Sequence, residues 1–143
     1  MAISRVRTSA VVIHSKQVLC FFAKDPLDQR EFHFLPGGGI EPGETAPEAA
    51  VRETLEETGY DIRVDESSGV DKEYMFHWKG EDYDCLTIFY RGYLVKPFKL
   101  VSNVEDTPYN LGVRWIPLVQ VNDIFSYTSE IRDAILELAE SHT

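Results

Sequence analysis

The sequence predicts one α/β domain built as a mixed β-sheet with a helix on each face. Three observations carry that reading. The 143 residues match a single domain at about 150 residues per domain, taken here as residues 1–143. Apolar residues make up 43% and charged residues 27%, enough to bury a core and too apolar for a disordered chain. The segments run β-rich, helix, β-rich, helix, an order that a sheet between helices accommodates.

The elements follow in chain order. Arg5 to His14 carries the β-branched run Val11-Val12-Ile13, and Gln17 to Lys24 resumes with Val18, Leu19, Phe21 and Phe22. The polar break Ser15-Lys16 between them predicts a hairpin. Asp25 to Arg30 opens on the turn signal Asp25-Pro26 and reads as loop. Glu31 to Leu35 is a short strand that runs into Pro36-Gly37-Gly38-Gly39, where no regular element is expected. Thr45 and Glu48 form a capping box, Pro47 suits a first turn, and Gly59 is a natural C-terminal stop. A helix is therefore predicted from Ala46 to Thr58. Val70–Trp78 and Tyr83–Val95 flank the polar turn Lys79 to Asp82, a second hairpin pattern. Leu86, Ile88, Tyr90 and Leu94 share one face by period two. Lys96 to Gly112 reads mostly as loop and Val113–Ile116 as a short strand. Ser126–Ser141 is predicted as a helix with Ile131, Ile135 and Leu138 in one apolar stripe.

Charge restricts the partners. Fourteen Lys and Arg against 24 Asp and Glu give a net charge of −10. A field of that sign opposes binding to long nucleic acid or to an anionic membrane. Taken alone it also opposes a naked phosphate ligand. The two cysteines, Cys20 and Cys85, lie in apolar stretches and are read as buried free thiols of a reducing compartment. The apolar run Ala10 to Ile13 is too short for a signal peptide, and no stretch is long enough to span a membrane. The expected location is cytoplasmic.

The informative segment is Gly37 to Tyr60, GGGIEPGETAPEAAVRETLEETGY. Gly38 and Gly43 have the spacing of a phosphate-binding glycine loop. Glu44 stands where that loop needs a lysine, and a carboxylate there would repel phosphate, so the loop is rejected. On a wheel of about 100° per residue with Glu53 at zero, Glu57 falls near 40° and Glu56 near 300°. The three carboxylates thus share one arc, opposite Val51 and Leu55. On most glutamate-rich helices such an arc is a solvated face, with Arg52 and Glu56 as a modest pair at i,i+4. Beside a glycine loop it also suits a hard cation, because Mg²⁺ prefers oxygen ligands shared with substrate phosphates.

This segment resembles the Nudix box, G-x5-E-x7-R-E-U-x-E-E-x-G-U, where U is a bulky apolar residue. Gly38, Glu44, Arg52, Glu53, Glu56, Glu57 and Gly59 occupy every fixed position, Tyr60 the last U, and Thr54 departs softly at the first U. The box covers 23 of the 143 residues. Trp115-Ile116-Pro117 looks like the strand end that often precedes the family's final helix. The resemblance implies a Nudix-type α/β/α sandwich and Mg²⁺- or Mn²⁺-dependent hydrolysis of a pyrophosphate bond in a nucleoside diphosphate linked to another group. It implies Glu53, Glu56 and Glu57 as metal ligands, with the Gly37 carbonyl as a further one. Arg52 would orient the carboxylates, and Glu44 would support the loop or reach metal-bound water. Gly38 would allow the turn from loop to helix, and Gly59 would end the helix. The general base would be Glu53 or a later acid, Glu105 or Asp106.

The substrate is not specified by the box. No proline occurs between Pro47 and Pro97, which disfavours the family's ADP-sugar hydrolases. Dinucleoside polyphosphates, ADP-ribose and oxidised nucleoside triphosphates remain open, as does a noncatalytic nucleotide sensor, although such modules usually lose box carboxylates. Phe34, Tyr74, Phe76 and Trp78 could stack on a base, but alternation of the last three on one strand face is more often core. His33 and His77 are read as structural. Family members are often dimers. The segment Gly38 to Tyr60 holds six acids and one base, a net −5, half of the whole charge in 23 residues. A concentrated negative site binds divalent cations, and a bound cation inverts the local sign. A small polyphosphate arriving with Mg²⁺ is therefore compatible with the acidity.

Overall fold

The computed structural model describes residues 2–102 and 108–141. Eight strands form one sheet: β1 (Ile3–His14), β2 (Gln17–Lys24), β3 (Glu31–Phe34), β4 (Gly37–Gly39), β5 (Ile62–Val64), β6 (Val70–Trp78), β7 (Glu81–Leu94) and β8 (Asn110–Pro117). Among the described residues, three α-helices accompany the sheet: α1 (Ala46–Thr58), α2 (Val121–Ile124) and α3 (Ser129–Ser141). The spatial order is β3-β2-β1-β7-β5, with β4 beside β1, β6 beside β7 and β8 beside β2. β1 and β7 run parallel and the other pairs antiparallel, so the sheet is mixed as predicted. Among the described residues no helix is long and apolar enough to cross a membrane.

The centre of β1 is covered on both faces. Ala10, Val11 and Val12 are fully buried. Val11 joins the cluster with Phe89, Phe125, Ile131, Ile135 and Leu138 on the α3 side. Ala10 and Val12 join the cluster with Ala50, Ile62 and Tyr90 on the α1 side. A strand buried on both faces reads as a continuous apolar run rather than an alternating one, which explains Ala10 to Ile13. The two hairpin turns use paired positive φ values, Ser15 at 51° with Lys16 at 61°, and Lys79 at 53° with Gly80 at 78°. Such turns match the right-handed twist of their strands. The second turn is tighter than the sequence suggests, and β7 accordingly begins at Glu81.

Four expectations need correction. The glycines after Pro36 do form a strand: β4 pairs antiparallel with Arg7 to Ser9. Side-chain propensity misses it because the ladder is made by backbone, and at Gly37 a Cβ would collide with Ser9 Oγ and the Thr8 carbonyl. The final helix starts at Ser129, not Ser126. α2 ends at Ile124, and Tyr127 instead donates its hydroxyl to the His33 carbonyl at 2.7 Å. β8 reaches back to Asn110, with Gly112 at φ 122° opposite a bulge at Phe22/Ala23. β5 was not anticipated, being only three residues long. The α1 boundaries are those the capping signals predict. Thr45 Oγ1 accepts from Glu48 N, Glu48 returns the bond to Thr45 N, and Gly59 closes the helix at φ 82°.

Candidate active site

Small residues let α1 approach the sheet closely. Its buried residues are Ala49, Ala50, Thr54, Glu57 and Thr58, while Val51 and Leu55 are only partly covered. Thr54 at the soft position of the box is fully buried, and its hydroxyl donates to the Ala50 carbonyl at 2.7 Å. Thr8 of β1 ties the helix start to the sheet by donating to the Ala46 carbonyl at 2.9 Å. The carboxylate arc is therefore turned partly inward. Glu57 is 5% exposed, and its Oε1 accepts from the Gly37 amide at 2.7 Å. Glu53 lies against Gly38, where a Cβ would come within 2.6 Å of its Oε1. Glu56 is more open, its side chain 48% exposed.

Arg52 is the hub. Its Nε and Nη2 donate to both oxygens of Glu44 at 2.7 and 2.9 Å, and Nη2 also donates to the Gly39 carbonyl at 3.0 Å. Nη1 donates to Glu53 at 2.9 Å and makes long contacts of 3.3 and 3.4 Å to Glu56. The fork geometry of guanidinium suits this many-sided role. The bond from Arg52, helped by the Glu41 amide, lowers the Glu44 carboxyl to about 2, and partial burial opposes it only weakly. Arg52 is held more firmly protonated than usual, chiefly by the same bond to Glu44. The i,i+4 pair with Glu56 exists but is the weakest of these contacts.

One cavity of about 320 Å³ opens beside this cluster. Glu53, Glu56 and Glu57 of α1 line it together with Gly37, Gly38 and Gly39 of β4. Arg5 and Arg7 of β1 also line it, and Phe34, Phe76, Trp78 and Tyr109 contribute a group of rings packed edge to face. Burial opposes the Arg7 charge, but the Tyr74 hydroxyl and the Glu57 carboxylate outweigh it and raise its affinity for the proton. Arg5 lies over the Tyr83 ring, 5.2 Å from the centroid. Trp78 packs edge-on against Phe34 and Tyr109, each at 5.2 Å.

The structure brings together Arg52, Glu44, Glu53, Glu56, Glu57, Gly37 and Gly38, and it places Gly59 at the helix end. Glu105 and Asp106 lie outside the described residues. Of the aromatic run on β6, Tyr74 is buried while Phe76 and Trp78 are half-buried on the cavity wall. His77 pairs with Asp82 at 2.7 Å, and neither His33 nor His77 lines the cavity. Arg5 and Arg7 were not singled out from the sequence. Their signal is the period-two pattern Arg5, Arg7, Ser9 on one face of a strand. Among the described residues no three His, Cys, Asp or Glu side chains converge as a ready-made cation site. Glu53 and Glu56 lean on Arg52, and Glu57 on the Gly37 amide. The donor set still fits a hard divalent cation: all are carboxylate or carbonyl oxygens of residues that line one cavity.

Comparison with known proteins gives the family. The NUDIX domain matches residues 4–138. A Bacillus subtilis protein to which 8-oxo-dGTP diphosphatase activity is ascribed is 49% identical over 61 residues, 42% of this chain and 38% of that protein. The match thus spans well under half of that relative. The RNA pyrophosphohydrolase of Roseobacter denitrificans is 27% identical over 127 residues, 76% of this chain and 74% of its own. A NUDIX hydrolase from Nitrosomonas europaea superposes with a TM-score of 0.72 at 18% identity, covering 96% of this chain and 89% of that one, and so shares the fold. With the domain matched over nearly its whole length, the chain belongs to the Nudix family.

Proposed function

We propose that this chain hydrolyses a pyrophosphate bond in a small nucleotide, a nucleoside diphosphate linked to another group, and that it uses Mg²⁺ or Mn²⁺. The observation that carries the reading is one cavity lined together by carboxylates, arginines and aromatic rings. Glu53, Glu56 and Glu57, with the Gly37 carbonyl, would hold the cation. When bound, it neutralises phosphate oxygens and lowers the pKa of the attacking water. Arg52 sets the rotamers of Glu53 and Glu56 through its Nη1, and Glu44 fixes Arg52 in turn. Gly38 leaves room for the Glu53 carboxylate, which is the base candidate within the described residues. Arg5 and Arg7 offer cationic groups to phosphate oxygens, and Phe76, Trp78 and Tyr109 a stacking wall for a nucleobase. The relatives' names, diphosphatase and pyrophosphohydrolase, support this class of bond. Two buried free thiols support a reducing compartment such as the cytoplasm.

The test is phosphate release from a nucleotide panel with Mg²⁺, coupled to a phosphatase. Hydrolysis that disappears with excess EDTA and returns with Mg²⁺ is expected. Glu56→Gln should lower kcat by orders of magnitude and leave the fold intact, since Glu56 is half exposed. Near-normal turnover by that variant would sink the ligand assignment. Tight nucleotide binding without hydrolysis would make the chain a sensor instead.

A further inference from the structure

The stacking wall is held from behind by a residue that does not touch the cavity. Trp78 ends β6, and the next residue, Lys79, begins the hairpin turn with φ 53°. Its backbone amide donates to Asp25 Oδ2 at 3.0 Å, across 54 residues of sequence. The other oxygen of Asp25, Oδ1, accepts from Leu27 N at 2.9 Å and from Asp28 N at 3.4 Å. Asp25 is 0% exposed, an unusual place for a carboxylate unless backbone donors satisfy it. Those donors hold its carboxyl below the ordinary range despite the opposing effect of desolvation.

The loop it closes, residues 25–30, is itself tied at both ends by Asp25 N to the Arg30 carbonyl at 2.8 Å and Gln29 N to the Asp25 carbonyl at 3.0 Å. Arg30 Nη2 reaches the His77 carbonyl at 3.5 Å, a second tie to the same hairpin tip. On the other side, Lys24, the residue before Asp25, donates its amide to the Tyr109 carbonyl at 3.2 Å. Neighbouring residues at the end of β2 therefore anchor both backbones that present the Trp78–Tyr109 ring pair. Lys79 Nζ sits 5.3 Å from the Tyr109 ring centroid and closes the corner.

We propose that Asp25 is a positioning residue for substrate: by fixing the backbone of Lys79 it sets the place of Trp78 against Tyr109, and so the width of the slot that receives a nucleobase. This rests on the nucleotide reading of the same cavity. Asp25 acts on binding of the base and not on the bond-breaking groups, which stand on α1 and β4.

Asp25→Asn is the sharpest variant. It keeps an oxygen for Leu27 and Asp28 but turns an N–H₂ toward the Lys79 amide. With dGTP and Mg²⁺, KM should rise roughly three- to tenfold, the span of one ordinary hydrogen bond, with kcat little changed. Trp78→Leu should raise KM at least as much, and the double variant should be no worse than Trp78→Leu alone. In a Trp115→Phe background, where Trp78 is the remaining tryptophan, Asp25→Asn should shift its emission to the red. A folded Asp25→Asn with unchanged KM, or with kcat lost at constant KM, would overturn the proposal, as would full additivity with Trp78→Leu. If Asp25→Asn does not fold, Arg30→Gln carries the test. It is exposed and removes the tie to His77, so KM should rise in the same direction, and an unchanged KM overturns the proposal. Failure of the underlying reading looks different: Trp78→Leu itself would then leave KM unaltered.

Discussion

Replacing Arg52 by lysine tests the hub directly. Arg52 donates twice to Glu44, once to Gly39, once to Glu53, and weakly to Glu56. Lysine keeps the charge but offers one nitrogen at one point, so it can serve Glu44 or the Glu53/Glu56 side and not both. About two or three charge-assisted bonds are lost, each worth up to ~1.5–3 kcal/mol when buried and ~0.2–1 kcal/mol when exposed. With the guanidinium side chain 24% exposed, a total of roughly 1–3 kcal/mol follows, or about 3–12 °C in Tm for a domain of this size. Misoriented carboxylates should also lower kcat by about 10- to 100-fold, the usual cost of losing an outer-shell partner. Thermal unfolding by circular dichroism reads the first effect and coupled phosphate release the second. The pH dependence adds a sign. Glu44 is held at about 2, below its ordinary 4.5, so its contribution to stability is present above that ordinary value and is lost as pH falls from 4.5 toward 2. Arg52→Lys has less of it to lose, and its Tm deficit should shrink across that window. An Arg52→Lys variant with wild-type kcat, or a deficit that is constant from pH 6 to about 2.5, would refute the hub.

Adjacent glycines should separate fold from chemistry. Gly37→Ala drives a Cβ into Ser9 Oγ and the Thr8 carbonyl, so it should destabilise by about 1–3 kcal/mol or more, visible as a lower Tm. Gly38→Ala first meets the carboxylate end of the Glu53 side chain, at 2.6–2.9 Å, rather than backbone. It should keep most of the Tm while kcat falls, and the opposite ordering of the two variants would contradict the packing described for β4. Gly59→Ala places a side chain at φ 82° and should cost about 1–2 kcal/mol in chemical denaturation; no change would mean the helix end is held some other way.

How much was legible in the sequence depended on what kind of interaction built each element. The bounds of α1 were readable because caps are local: Thr45, Glu48 and Gly59 each satisfy a backbone group within four residues. The buried face of α1 was less readable. A wheel sets Val51 and Leu55 apart as the apolar pair, yet the helix rests on Ala50, Thr54, Glu57 and Thr58, because close approach to the sheet favours small side chains over large apolar ones. β4 was invisible because glycines carry no side-chain signal and its ladder depends on β1, far away in sequence. The glutamate cluster was legible through its motif. The arginines that share its cavity were not, since an Arg-x-Arg strand has no meaning until parallel pairing of β1 with β7 brings Cys85 and Tyr83 beside it.

The charge of −10 acquires a sense from the arginines that line the same cavity. Half of it falls in the box, where carboxylates on one helix face would repel one another. Two separate arrangements relieve this. Glu53 and Glu56 share Arg52 through side-chain contacts that are partly solvated and, for Glu56, long. Glu57 is buried against the Gly37 amide, with the Arg7 guanidinium adding its field. Side-chain contacts near solvent exchange readily, whereas a buried bond to a strand backbone does not. Glu57 is thus the member of the cluster held by backbone, and Glu53 and Glu56 are the members held by the Arg52 side chain. The same division bears on how an acidic chain would receive phosphate. Its positive groups are few, but Arg5 and Arg7 line the same cavity as the glutamates, where on the proposed reading they would meet a polyphosphate.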